Sequence, residues 1–204
     1  MRLTLIRSRE FLTLFLAFLV LTSLVAWVVA NPPANEDFAS ISVLGSRMTT
    51  VSYFPNNVTT VFLDEPIQWN VQVYNHMSTT QLFAVYIKLA NTTTTSPNAT
   101  SNTPSGGFLL FQSHRAMLKN ETWNLPIAWS ITGETSVSGT TKIQSMMINN
   151  VLVPGTDVPA VSGTNFRIVI ELWSYDVQTH SFLFSFMTRT GLNSVFNQIW
   201  FNTG

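Results

Sequence analysis

The uncharged run FLTLFLAFLVLTSLVAWVVA, at residues 11–30, constrains this chain more than any other stretch, and only Thr13, Thr22 and Ser23 interrupt its apolar character. A helix rises about 1.5 Å per residue, so about 20 residues cover roughly 30 Å, the hydrocarbon thickness of a bilayer. The run is therefore expected to be a transmembrane helix serving as a signal anchor. Arg2, Arg7 and Arg9 precede it, whereas residues 31–38 carry Glu36 and Asp37 and no Lys or Arg. Positive charge stays on the cytoplasmic side, which predicts a cytoplasmic N-terminus at 1–10 and a single-pass protein of the cell membrane with its C-terminal domain extracellular. Trp27 suits a membrane–water interface, and Asn31-Pro32-Pro33 stops the helix just beyond it. A cleaved signal peptide is the alternative, since Val28-Val29-Ala30 offers small residues. Its apolar segment would usually be only about 7–15 residues long.

Residues 31–38 (NPPANEDF) read as a short spacer, and 39–204 as one extracytoplasmic domain, long enough for a single well-buried core. Charged residues make up 10% of the chain, against about 25% in ordinary domains. The exported part holds no basic cluster, so no nucleic-acid partner is expected. There is no cysteine. The domain must be held by its core alone, and thiolate metal centres are excluded.

From Ala39 onward, short segments alternate apolar and polar residues, the signature of half-buried strands. Candidate strands are 40–44, 49–54, 59–63, 67–74, 82–89, 108–112, 122–131, 142–148, 166–173 and 181–187. Ile67, Trp69, Val71 and Val73 share one face, as do Phe83, Val85, Ile87 and Leu89, and Phe166, Ile168, Ile170 and Leu172. Asp176 begins a turn into the last of these strands. Residues 192–201 fit either a strand or a short helix. The Thr/Ser/Asn-rich stretch 91–107 contains two prolines and reads as a long exposed loop. About eight or nine strands without a long amphipathic helix predict an all-β fold, an immunoglobulin-like antiparallel β-sandwich. Most Trp and Phe side chains then belong to its core.

Four Asn-x-Ser/Thr acceptors for N-glycosylation occur, at Asn57, Asn91, Asn98 and Asn120. His76, His114 and His180 lie far apart, with no two at a ligand spacing, and His76 is expected to make a local hydrogen bond at a strand end. Met77, Met117, Met146, Met147 and Met187 read as core filling rather than as soft metal ligands. No nucleophile elbow, phosphate-binding glycine loop or His-Glu-x-x-His occurs. Asp64-Glu65 looks like a turn pair, and Glu171 is expected to face solvent or a Lys or Arg across the sheet. No catalytic residue, cofactor or metal is assigned.

A series of short landmarks runs through the domain: Val43-Leu44-Gly45, Tyr53-Phe54-Pro55, Asn75-His76, Leu118, Asn120-Glu121-Thr122-Trp123, Pro126, Phe166-Arg167-Ile168 and Leu172-Trp173. In order and approximate spacing over residues 40–175, the chain resembles the extracytoplasmic domain of an archaeal family of uncharacterised membrane proteins, known as a domain of unknown function. The resemblance implies an immunoglobulin-like module attached to transmembrane helices, with no catalytic residues to carry over. This chain differs in having one predicted span and the Thr-rich loop. The expected function is a non-enzymatic, membrane-anchored glycoprotein acting as a structural or protein-interaction module of the archaeal cell envelope or of a membrane complex. Its partners would be the lipid bilayer and a protein. The alternative is a ligand- or metal-binding accessory subunit of a membrane-bound oxidoreductase.

Overall fold

Period-two alternation becomes sheet structure from Ala39 onward in the computed structural model, which describes residues 8–31 and 36–204. Arg2, Arg7 and residues 32–35 of the spacer lie outside the described residues. The chain divides into two compact units, 1–35 and 36–204.

In the first unit, helix α1 (Ser8–Ala30) contains a segment, Glu10–Ala30, with a mean hydropathy of 2.5. Its apolar side chains are exposed around the whole helix. The two hydroxyls in its second half are satisfied within it: Thr22 Oγ1 donates to Phe18 O at 2.8 Å, and Ser23 Oγ to Leu19 O. Such internal bonding lets a hydroxyl sit in hydrocarbon without an orphaned donor. Asn31 ends the helix by donating both its backbone N–H and its Nδ2 to Trp27 O.

The second unit contains thirteen strands among the described residues. They are β1 (Ala39–Gly45), β2 (Thr60–Val61), β3 (Ile67–Asn75), β4 (Gln81–Ala90), β5 (Phe108–Met117), β6 (Thr122–Val137), β7 (Thr140–Ile148), β8 (Val151–Val161), β9 (Phe166–Asp176), β10 (Ser181–Leu183), β11 (Phe186–Thr188), β12 (Gly191–Asn193) and β13 (Phe196–Thr203). One sheet runs β1-β3-β6-β7-β8; the other runs β2-β13-β9-β4-β5, with β10 beside β9. All the strand pairs are antiparallel except β2 with β13. The chain passes from β3 to β4 and from β6–β8 to β9 by changing sheets, the Greek-key exchange of an immunoglobulin-like sandwich. The inward rows of β3, β4 and β9 predicted from alternation are all buried. Each such side chain contributes about 1.5–3 kcal/mol of transfer free energy.

Several expectations are corrected. Residues 49–54 are not a strand, because the chain doubles back after β1: Met48 has a φ of 58°, and Gly45 both donates to Thr49 O and accepts from Met48 N–H. Ser52 O presses so close to Gly45 that a Cβ there would lie 1.7 Å from it. The stretch 181–187 is two strands, β10 and β11, and residues 196–203 form a strand rather than a helix. The edge strand β8 escapes alternation because Pro154, Gly155 and Pro159 interrupt it. Its two prolines lack N–H groups, and its register against β7 shifts between Ile143 and Ser145. Both features discourage a further strand from joining.

At the end of the domain where β1 starts, fully buried Asn75 ties two turns together. Its Nδ2 lies 3.2, 3.1 and 3.1 Å from the carbonyls of Thr79, Met117 and Leu118, while its Oδ1 accepts from Met77 N–H.

Candidate functional site

Edge strand β1 of one sheet approaches β13 of the other, and Asn197 Nδ2 bridges them by donating to Ile41 O at 2.8 Å. The connection 46–59 runs along this side, held by one aromatic plug. Phe54 is buried edge-on against Trp69 and Trp129, at 6.1 and 6.5 Å between ring centroids. The two indoles themselves meet at 5.2 Å, and Trp69 Nε1 donates to Tyr53 O at 2.7 Å. This packing leaves room around the plug. A cavity of about 300 Å³ lies between Val51, Tyr53, Phe54, Asn57 and Thr59 and the β13 residues Asn197 to Trp200. A second, of about 250 Å³, shares Tyr53 and Phe54 and adds Ser46, Pro66 and Gln68. A third, of about 390 Å³, shares Ser46 and Gln68 and reaches Asn70, Pro126 and Asn149.

Among the described residues, no Lys, Arg, His, Asp or Glu lines any of the three. The cleft thus offers amides, hydroxyls, backbone groups and aromatic faces. Asn70 Oδ1 and Trp129 Nε1 are buried without a hydrogen-bond partner among the described residues.

A second polar cluster corrects the reading of 91–107 as a freely exposed loop. Asn91, Pro97 and Ser105 are buried, because side chains on the outer face of β4 and β9 hold the stretch down. Lys88 Nζ lies 2.9 Å from Glu171 Oε2 and donates to Ser105 O at 2.8 Å. Glu171 also accepts from Ser105 N–H and from Trp173 Nε1, and the Lys88 ammonium sits 5.4 Å from the centre of the Trp173 ring. Of the two environments expected for Glu171, the structure shows the cation across the sheet and not solvent. Arg167 donates to Ser96 Oγ, Gln198 Oε1 and Thr94 O, and stacks 4.9 Å from the Trp200 ring centre. Burial pushes its guanidinium below its ordinary value. These groups bind the loop to the sheet.

The glycosylation acceptors diverge. Asn57, Asn98 and Asn120 are exposed. Asn91 is buried, and its Nδ2, the atom a glycan would join, donates to Pro159 O at 2.6 Å. That sequon is closed in the folded domain. His76 Nδ1 lies 3.2 Å from Tyr74 OH, the local bond expected, while His114 neighbours Phe182. Met77, Met117 and Met146 lie in the core, Met147 is half-buried and Met187 is exposed. Glu65 of the turn pair accepts from Phe62 N–H, and Asp64 has a φ of 59°. Asp176 caps the β9–β10 turn, where the Thr179 hydroxyl above all, with Gln178 N–H, holds its carboxyl below the ordinary value.

The chain is an immunoglobulin-like β-sandwich carried behind an apolar helix long enough to span a membrane. Among solved structures, it is similar to the CARDB domain of a Pyrococcus furiosus protein in complex with di-metal ions, with 10% identity and a TM-score of 0.39, covering 83% of this chain and 90% of that one. It is also similar to the sporulation control protein Spo0M of Bacillus subtilis, with 8% identity and a TM-score of 0.36, covering 81% and 49%. A β-glucosidase from Listeria innocua matches at 7% identity and a TM-score of 0.39, covering 82% of this chain and 16% of that one. No protein-family model matches the chain, and no curated protein is significantly similar.

Proposed function

We propose that this chain is a membrane-anchored, N-glycosylated module that displays a recognition surface outside the cell, as part of the cell envelope or of a membrane complex, and performs no catalysis of its own. One observation carries the reading: the apolar side chains of α1 are exposed all round, while the sandwich buries a complete core of its own residues. A helix of that kind needs lipid around it. The outward direction rests on Arg2, Arg7 and Arg9 just before the run, with no Lys or Arg in residues 31–38 just after it. The uncharged aromatic cleft suits recognition, and the landmarks that resemble those of the archaeal family fit the same setting. Glycans are assigned to the exposed acceptors Asn57, Asn98 and Asn120.

The test is protease treatment of intact cells expressing the full chain with a tag at each end. The expected result is loss of the C-terminal tag and survival of the N-terminal tag in a carbonate-resistant membrane fraction. Protection of the C-terminal tag, or full release by carbonate, would overturn the reading.

A further inference from the structure

Strand β13 pairs with β9 along most of one side and is mostly unpaired on the other. Residues 196–201 pair with β9, but only Asn202 and Thr203 pair with β2 across the opposite edge. There Asn202 N–H donates to Thr59 O and Gly204 N–H to Val61 O. Backbone groups alternate in direction along a strand, so Gln198 and Trp200 aim their N–H and C=O groups along this same edge. Neither has a backbone partner there among the described residues. The space beside them is the 300 Å³ cavity.

The chemistry of the lining defines what fits. Unpaired strand groups recognise another extended backbone, and pockets beside them select alternate side chains. Tyr53, Phe54 and Ile199 give the cavity apolar walls, and Asn57 and Thr59 give it a polar rim. A charged side chain entering it would lose hydration without meeting a counter-ion. Two of the other long edges are less receptive: β8 carries Pro154, Pro159 and a register shift, and β5 carries the Arg115–Glu121 ion pair.

We propose that an extended, uncharged peptide segment of a partner protein inserts into this cleft and adds to β13 beside Gln198 and Trp200, continuing the line that β2 begins. The inference rests on reading the domain as a recognition module. The four β13 residues that line the cavity, Asn197 to Trp200, offer an edge of about 13 Å, at roughly 3.3 Å per residue.

The experiment uses the full chain in detergent micelles, both with its glycans and without them because Asn57 stands at the rim, and a labelled, end-capped octapeptide alternating Val with Thr or Ser. Controls are the same peptide with alternate amides N-methylated, and one with two Val positions replaced by Lys. Expected are saturable binding of the first peptide, at least tenfold weaker binding of both controls, and at least tenfold slower amide exchange at Gln198 and Trp200 in the complex. Gln198→Pro, which removes an edge-facing N–H, and Val51→Lys, which puts a charge on a rim position that is 75% exposed, should each weaken binding at least tenfold. If Gln198→Pro does not fold, Val51→Lys decides, since a surface change there leaves the core intact. Absence of saturable binding, equal binding of the N-methylated peptide, or unchanged exchange overturns the proposal. A chain that fails here but passes the protease test loses this inference alone.

Discussion

Glu171→Gln tests whether the buried ion pair holds the 91–107 loop. The Lys88 and Glu171 side chains are 10% and 0% exposed, so solvent screens their interaction little. Removing one partner of such a pair costs about 3–5 kcal/mol, because the remaining charge stays buried without its counter-ion. Lys88 keeps Ser105 O at 2.8 Å and the Trp173 ring, which puts the cost at the lower end, about 3 kcal/mol. For a domain of this size, that corresponds to a fall in Tm of roughly 6–12 °C, read by intrinsic fluorescence. Proteinase K should then cut within 91–107, where the wild type resists. Adding Lys88→Met removes the stranded ammonium and leaves the Trp173 N–H short of an acceptor and Ser105 O short of its donor, together about 1–3 kcal/mol. The double variant should therefore melt above Glu171→Gln alone. A single variant within about 1 kcal/mol of wild type, or a double variant less stable than the single, refutes the reasoning.

Asn75→Asp turns a donor amide into an acceptor facing the carbonyls of Thr79, Met117 and Leu118; a loss of at least about 3 kcal/mol is expected in urea unfolding, and a smaller loss than for a surface Asn→Asp control would contradict the keystone role. Because the Thr179 hydroxyl and Gln178 N–H hold the Asp176 carboxyl below its ordinary 3.8, their stabilising effect is complete above that value and fades as pH falls through the lowered one. Thr179→Val should move the Asp176 titration back up, as seen by side-chain carbon NMR, and a wild-type value at or above 3.8 would contradict the assignment. Mass spectrometry of the native protein should find glycans among Asn57, Asn98 and Asn120 and none at Asn91; occupancy of Asn91 would mean that it is modified before the loop closes.

How much of this was legible depended on which faces of a strand were wet. The rows of β3, β4 and β9 that face the core alternate cleanly, so their burial follows from residue order alone. The second buried face of β4 and β9 left a weaker trace, with Tyr86, Val169 and Trp173 sitting where an exposed face would be polar. Strands covered on both sides lose alternation. Lys88 and Arg167 were invisible as fasteners, because their partners Ser105 and Thr94 lie in a stretch whose composition reads as solvated loop. The side cleft was equally hidden. Tyr53 and Phe54 looked like the end of a strand, whereas the chain packs Ser52 over Gly45 and seats Phe54 against two indoles as a plug.

The guarded margin of β8 matters most for a protein confined to a plane. Tethered copies meet sideways far more often than free ones at the same abundance, since confinement raises their effective concentration. A receptive margin there would let neighbours zip into a sheet that never closes. With Pro154 and Pro159 denying hydrogens to any newcomer and Asn91 already occupying the Pro159 carbonyl, a dense lawn of these molecules can stay a population of individuals.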